Sequence, residues 1–421
     1  MRWGSQRMQR REVALSEILV DATASVSGGA VYLHNLITAW ATSPLPFRLT
    51  ILHTRDLDLT GLPDRSGQIV YQEIWIPSWG GSNWLVGSLY KAWWRRWCLP
   101  IHLWWRRPTV FFSNAGSLPG FFPRGGRAVV ALHNSMPFLP ELWPLEQSWM
   151  RRWRLSLLRR QAIDLLRKRV DLLVFSQDLK RRLLALGAEE DRCTVIPHGI
   201  EWGERERLGE GPPVASIPSG EEKPLFLYVS QLHRYKNVER LLEALARLRA
   251  SHPGASLQLV GYLTDPGYAR EIAASIRARH LEEAVQIVPG LDRRLLMGLY
   301  RSATAVVYPS LAENCPFALL EAMAMGKPIA TSRIAAIEEV CGDAALYFDP
   351  YDPEDMARQM SRLLEERNLR SALRERAVAR AATFAWSHSA QETLDLLSRV
   401  ATSPDRPGVG GKRSTAARQE P

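Results

Sequence analysis

The chain reads as an α/β protein made of two doubly wound, parallel-sheet domains. Three observations predict it. Short apolar runs alternate with helix-period stretches through both halves, which is the signature of parallel sheets with helical crossovers. A length of 421 residues is enough for two domains, each with its own core. Between 201 and 224 the alternation breaks into charge, glycine and proline, including Gly209, Gly211, Pro212, Pro213, Pro218, Gly220 and Pro224; that stretch is a linker by composition.

In the first half (1–200), strands are expected at 18–22, 48–53, 69–76, 109–113, 127–132, 171–176 and 193–196. Ser27-Gly28-Gly29 reads as the loop after the first strand, with a helix starting near Val31. In the second half (225–385), strands are expected at 225–229, 257–260, 285–288, 304–308, 328–331 and 345–348. The intervening helices fall at 238–250, 267–280, 292–302, 316–325 and 335–341, followed by helices near 353–366 and 369–382. A last helix lies at 387–400, within a closing segment 386–401. Beyond it the Pro-, Gly- and Arg-rich residues 402–421 read as a disordered tail.

Composition narrows the function. Four scattered cysteines (Cys98, Cys193, Cys315, Cys341) form no CxxC, so neither a zinc site nor a disulfide framework is expected, and a cytoplasmic setting fits. No apolar run is long enough to span a bilayer, and the basic N-terminus lacks the apolar stretch of a secretory signal. Residues 1–200 hold 26 basic against 15 acidic residues, whereas the rest is nearly neutral. That asymmetry points the first half toward an anionic surface or acceptor.

The most informative stretch is Glu313-Asn314-Cys315-Pro316-Phe317-Ala318-Leu319-Leu320-Glu321. Pro316 suits the first position of a helix, and Gly326 and Pro328 stop it. Glu313 then sits in a strand-to-helix loop, with Glu321 about 7–8 Å further along the helix at 1.5 Å per residue. A nucleotide lying along the helix fits this spacing. The helix N-terminus suits a diphosphate, Glu321 the hydroxyls of a ribose, and Glu313 the hydroxyls of whatever the diphosphate carries. A helix with an acidic entry loop and one solvated glutamate fits the same residues.

This Glu-x7-Glu resembles the signature of the retaining GT-B glycosyltransferases of family 4 ("group 1"), which use nucleotide-diphosphate sugars. Val229-Ser230-Gln231-Leu232-His233-Arg234-Tyr235-Lys236-Asn237 is similar to that family's V-G-R-L-x-x-x-K-G loop, where an Arg and a Lys clamp the donor diphosphate. Lys236 matches the Lys. Gln231 stands at the Arg position, which leaves Arg234 as a candidate for the missing charge. The resemblance covers about 15–400. It implies a GT-B fold of two Rossmann-like domains facing each other across a cleft, with the nucleotide sugar in the second, the acceptor in the first, and a last helix crossing back.

The resemblance also implies roles residue by residue. Glu313, Lys236 and His133 would form the catalytic group, with Glu313 holding sugar hydroxyls. Glu321, the amides of Cys315, Phe317 and Ala318, Gln231, Arg234 and the base-edge turn Pro289-Gly290-Leu291 would bind the donor. Gly28 and Gly29 would supply a cleft loop where the backbone approaches a ligand. Each has a plainer reading: a structural histidine for His133, a surface lysine for Lys236, a simple turn at Pro289-Gly290. Val195-Ile196-Pro197-His198-Gly199-Ile200 is similar to the family's I-P-N-G turn and is assigned to structure. Asp56-Leu57-Asp58 resembles a metal-binding DxD but lies in a polar loop of the other half. No metal and no cofactor are expected.

Finally, Leu85, Leu89, Trp93 and Trp97 recur at i+4, with Lys91 and Arg95 expected on the opposite face. An aromatic face with arginines is an interfacial membrane pattern, and 151–169 adds eight basic residues against one acid. A core helix with solvated arginines would look the same. The leading expectation is a metal-independent, hexosyltransferase-like enzyme acting on a lipid-linked or cell-surface glycan. Peripheral contact with an anionic membrane is expected through 84–107 and 151–169. A lipid- or nucleic-acid-binding protein on a degenerate scaffold and a sugar-nucleotide epimerase are the alternatives, with nucleic acid the less favoured partner.

Overall fold

The computed structural model describes residues 16–23, 28–42, 44–55, 57, 59, 67–74, 84–200, 223–403 and 409. The N-terminal 15 residues, the predicted linker over 201–222, Asp56 and Asp58, and the predicted tail past Ser403 other than Val409 lie outside the described residues.

Thirteen strands form two all-parallel sheets among the described residues. The first comprises β1 (Glu17–Asp21), β2 (Arg48–His53), β3 (Ile69–Glu73), β4 (Val110–Ser113), β5 (Ala128–Ala131), β6 (Asp171–Val174) and β7 (Cys193–Val195), in the order β3-β2-β1-β4-β5-β6-β7. The second comprises β8 (Leu225–Val229), β9 (Ser256–Val260), β10 (Val285–Val288), β11 (Ala305–Tyr308), β12 (Ile329–Ser332) and β13 (Leu346–Phe348), in the order β10-β9-β8-β11-β12-β13. Every residue of β4, β5, β6, β11 and β12 is buried, as expected of parallel strands covered on both faces. This explains why they are visible in the sequence as short unbroken apolar runs.

In each sheet the direction of winding reverses once, between β1 and β4 and between β8 and β11. Ligands of open parallel sheets bind beyond the carboxyl ends of the strands at such reversals. The loops concerned lead into Gly28-Gly29, Asn114, Lys236 and Glu313.

The last helix, Trp386–Thr402, packs back on the first domain. The Trp40 indole N–H donates to the Ala390 carbonyl at 3.1 Å, and Arg127 donates to the carbonyls of Val400 and Ser403, each at 2.9 Å. Gly199 is obligatory at this crossing, because a Cβ there would lie 2.5 Å from the Trp386 backbone. The Ile200 N–H continues the contact, donating to Phe384 at 2.7 Å.

Several expectations are corrected in detail. Gly28 and Gly29 open the helix Gly28–Ala41 instead of forming a separate loop. Pro316 has extended backbone (ψ 116°) and caps the helix Phe317–Ala324 from outside. The basic 151–169 stretch belongs to a 19-residue helix, Trp149–Arg167. The predicted tail begins later than expected: Thr402 is helical, and Val409 exchanges backbone hydrogen bonds with Gly125 and Gly126.

The largest correction concerns 84–106. A helix over Trp84–Trp93 passes through a π turn, Trp94–Cys98, into a further helix, Leu99–Arg106. Its inner side packs Trp94, Leu99 and Leu103 into the core, and an aromatic stripe opposite them faces outward, with Arg95 on the other face as expected. Leu89, Trp93, Trp97, Ile101, Trp104 and Trp105 are 49–75% exposed, while Arg95 turns inward to an ion pair with buried Asp21. The i+4 spacing of such a stripe advances about 40° per step on an α-helix. One wider π turn, Trp94–Cys98, takes back part of that drift.

Candidate active site

The second domain supplies the donor side. β8 ends at Val229 and the chain reaches a short 3₁₀ turn, Arg234–Lys236. Asn237 follows with φ 62°, and its side-chain amide donates to the carbonyls of Pro309 (3.1 Å) and Pro350 (2.7 Å). Asparagine thus does at this position what the family pattern's glycine does: it tolerates the left-handed backbone. It also ties the turn to the loop after β11. Lys236 is thereby aimed at Glu313 and forms a buried ion pair with it, each side chain 9% exposed. The Lys236 ammonium also lies 3.3 Å from the Tyr308 hydroxyl at the end of β11. Burial alone would lower the Lys236 pKa, but the Glu313 carboxylate together with the Tyr308, Tyr235 and Tyr228 hydroxyls outweighs it, and the value is held well above the usual lysine range.

From Glu313 the chain enters the helix Phe317–Ala324. Leu319 and Leu320 donate back to the Pro316 carbonyl, whereas the Phe317 and Ala318 N–H groups have no partner among the described residues. These orphan donors carry the positive end of the helix dipole. Glu321, 9% exposed, accepts from Arg293 at 3.0 Å and lies 3.2 Å from the Tyr300 hydroxyl. Arg293 begins the helix Arg293–Ser302, directly after the predicted base edge. There a Cβ on Gly290 would fall 2.1 Å from the ring of exposed Tyr262, so any side chain would have to displace that ring. Pro289 is exposed beside it, and Leu291 packs against the core.

The first domain closes the other side. Asn314 donates to the carbonyls of Leu132 (3.0 Å) and His133 (3.3 Å) and accepts from Ser176 at 2.8 Å. His198 stacks on Phe317, with ring centroids 4.3 Å apart and planes 3° from parallel. Its Nδ1 donates to the Cys315 carbonyl at 2.9 Å. A Cβ on Gly28 would touch the Phe317 ring at 3.7 Å, so the first-strand turn meets the start of the donor helix.

His133 stacks on Phe175 at 4.5 Å and bonds through Nε2 to Asn114 Oδ1 at 2.7 Å. Asn114 Nδ2 in turn donates to the Gly29 carbonyl at 2.9 Å. That bond makes Oδ1 the acceptor, so His133 carries its proton on Nε2 and presents Nδ1 as a buried, unpaired acceptor. Burial pushes the pKa of His133 and of His198 down to about 3, so both imidazoles are neutral. Beside His133, Asn114 and Gly29 opens a cavity of about 170 Å³ whose further walls include Pro137, Phe138 and Leu158. No cation lines it.

Arg234 does not take up the charge that Gln231 lacks. Both its Nη atoms bond to Glu271, the second at 2.9 Å, and its guanidinium lies 4.8 Å over the Tyr268 ring. Gln231 is exposed, 3.3 Å from His233. Lys236 is therefore the cation at the end of β8, with the helix N–H groups beside it. Tyr308, Arg293, Tyr300 and Asn114 complete the arrangement without having been marked in the sequence. Asn314 and His198 were visible inside recognised motifs, but their part in joining the domains was not.

Two parallel-sheet domains with their functional loops at facing switch points define the GT-B class of architecture. Solved structures agree on the fold: a sucrose-phosphate synthase from Thermosynechococcus elongatus (TM-score 0.67, 18% identity, 91% of this chain and 99% of that one) and Anabaena HepE in complex with UDP-glucose (0.65, 17%, 91% and 99%). The family model "Glycosyltransferase Family 4" matches residues 26–202, and "Glycosyl transferases group 1" matches 214–380. The chain belongs to these group 1 glycosyl transferases. Among curated relatives, D-inositol 3-phosphate glycosyltransferase of Nocardiopsis dassonvillei is 28% identical over 58% of this chain and 59% of that protein. The protein of the same name from Acidothermus cellulolyticus is 26% identical over 74% and 65%. The chain thus spans about half to two thirds of the length of the curated relatives it matches.

Proposed function

We propose that the protein is a retaining glycosyltransferase that moves a sugar from a nucleoside-diphosphate sugar to a hydroxyl of a membrane-borne acceptor. One observation carries the donor half: the buried Lys236–Glu313 pair lies at the entrance to a helix whose first N–H groups are unpaired, with Glu321 eight residues on. Bound donor would replace that pair. Lys236 and the Phe317 and Ala318 N–H groups would hold the diphosphate, Glu313 the sugar hydroxyls, and Glu321 the ribose. Transfer would follow attack by the acceptor hydroxyl on the anomeric carbon from the face the diphosphate leaves. The bond from that carbon to the phosphate oxygen breaks, and the hydroxyl proton passes to the departing phosphate. Lys236 and the helix dipole stabilise the charge on the leaving group as it develops, so the reading needs no metal.

The acceptor half rests on the surface of the first domain. Its exposed Trp and Ile stripe on 89–105 and the exposed Trp149, Met150 and Trp153 on the next long helix are interleaved with arginines, the composition of an interfacial membrane surface. The cavity at His133 is mostly apolar and runs toward Leu158 on that second helix. A phosphorylated acceptor, which the relatives' name implies for them, would want a cation there; a neutral sugar on a lipid would not. No helix among the described residues is long and apolar enough to cross a membrane.

The test is turnover of a panel of nucleotide sugars with acceptors in two forms, lipid-linked glycans in vesicles and soluble polyol phosphates. Product of retained anomeric configuration on the lipid-linked set supports the proposal. Turnover confined to polyol phosphates would remove the membrane acceptor, and turnover without any acceptor would point to an epimerase.

A further inference from the structure

At the amino-terminal ends of the second sheet's central strands lies a cleft of about 510 Å³ that the donor site does not use. Pro224, Thr304 and Pro328, which line it, immediately precede β8, β11 and β12. It is therefore roughly 15 Å from the strand ends that carry Lys236 and Glu313, at about 3.3 Å per residue. Its remaining character is cationic. Arg367, Arg370 and Arg374 recur at i, i+3 and i+7 on the helix Arg367–Ala381 and face Lys327 across the opening. No carboxylate lines the cleft among the described residues.

Two of these cations are held in place by carbonyls. Lys327 donates to the carbonyls of Arg301 (2.7 Å) and Ala303 (2.8 Å), and Arg370 to those of Leu363 (2.9 Å) and Leu364 (3.0 Å). Those contacts orient the side chains and leave their charge uncompensated. The neighbouring acids are engaged elsewhere: Glu366 with Arg362 at 2.6 Å, Glu365 with Ser361 at 2.6 Å. Arg374 makes no ion pair among the described residues. Like charges at i+3 and i+4 on one helix face repel. Burial, and after it the charge of Arg374, lowers the Lys327 pKa to about 8.

We propose that this cleft is a second ligand site, for a small polyanion bearing two or more phosphoryl groups. Guanidinium forks suit phosphoryl oxygens bidentately, and a multivalent anion would discharge the repulsion. The site is placed to be felt at the donor pocket. Lys327 holds the C-terminal end of the helix Arg293–Ser302, and Arg293 at the other end of that helix bonds Glu321.

The test is calorimetric titration of inorganic tripolyphosphate into the full chain at low salt, comparing wild type, the double variant Arg367→Gln/Arg374→Gln and Lys236→Met. Lys236→Met removes the donor-site cation, so the titration step it keeps belongs to the new site. The double variant is expected to lose that step by at least tenfold in affinity, with no change in Tm without ligand. Equal binding by wild type and the double variant would overturn the proposal, whether or not Lys236→Met folds. Neither result bears on the donor-site reading, which rests on other residues.

Discussion

Lys236 and Glu313, 77 residues apart in the chain, form a buried ion pair at the ends of neighbouring strands β8 and β11. The two groups assigned opposite tasks, one for phosphate and one for sugar, neutralise each other when the site is empty. Removing one partner of a buried pair is far costlier than the pair's net worth, because the other charge is left unpaired. The site is thus charge-balanced in both states, paired internally or paired through the donor.

This makes the pH dependence of Glu313→Ala specific. In the wild type the carboxylate, together with the tyrosine hydroxyls, holds the Lys236 pKa well above the usual range, so donor affinity should be flat from neutral pH well into the alkaline region. Without Glu313, burial is left as the main influence and draws that pKa down. Binding of a nucleoside diphosphate by the variant should fall at least tenfold, and fall further as pH rises toward 9. Calorimetry at several pH values measures it; a variant with flat, wild-type affinity would contradict the pairing.

Glu321→Ala should act differently. It removes the acceptor for Arg293 and Tyr300 and the ribose contact, but no charge next to the leaving group. The expected result is a donor KM raised about tenfold with kcat within about threefold, the pattern of lost uniform binding. A kcat loss matching the loss in kcat/KM would move Glu321 to the reacting centre.

How far the sequence revealed this depends on the residue. The central strands, such as β4, β5, β6, β11 and β12, were legible because buried parallel strands are continuous apolar runs, and Glu313, Glu321 and Lys236 because their spacing is set by local strand-loop-helix geometry. What stayed hidden depends on distant contacts. Arg234 lies two residues from Lys236, yet Glu271 and Tyr268, more than thirty residues on, fix its direction. Asn314 joins two domains through carbonyls of Leu132 and His133, which no local pattern encodes. Arg95 lies opposite the aromatic stripe, as a helical wheel has it, but its ion pair with Asp21, 74 residues back in the chain, is set by tertiary packing.

The neutral histidines give an acid sensitivity. His133 and His198 have folded pKa values of about 3 against about 6.5 unfolded, through burial. The unfolded state therefore binds more protons below pH 6.5. Their contribution is fully present above that value and is lost as pH falls toward 3, at about 1.4 kcal/mol per pH unit for each. Urea midpoints between pH 7.5 and 5 should show this slope. His198→Asn should cut it by about half, leaving the His133 share, while lowering stability at pH 7.5 by about 1–2 kcal/mol for the altered Cys315 bond. An unchanged slope would mean that His198 is protonated in the fold.

The aromatic stripe predicts a surface effect without a folding effect. Trp93, Trp97 and Trp104 are 49–60% exposed, so replacing all three by serine should leave Tm within a few degrees or raise it. Co-sedimentation with vesicles containing anionic lipid should fall at least tenfold, and the residual binding should weaken with salt. Undiminished sedimentation would reassign the stripe to another partner.

The clearest stability prediction comes from the same segment. Arg95 bonds to Asp21, which is fully buried at the end of β1, and Arg95 Nη2 also donates to the Ser117 carbonyl at 3.0 Å. Thr23 steadies the other carboxylate oxygen through its N–H at 3.0 Å and its hydroxyl at 2.6 Å. Arg95→Met keeps most of the packing but strands a carboxylate next to the first switch point. It should cost about 3–5 kcal/mol, visible as a lowered urea midpoint with little change in m. Asp21→Asn strands the guanidinium and should cost a similar amount, whereas the double variant should recover at least half of the combined loss, because neither charge is then left unpaired. Additive losses would show that the two residues act separately. Recovery would show that the arginine is held inward to compensate the buried Asp21 carboxylate.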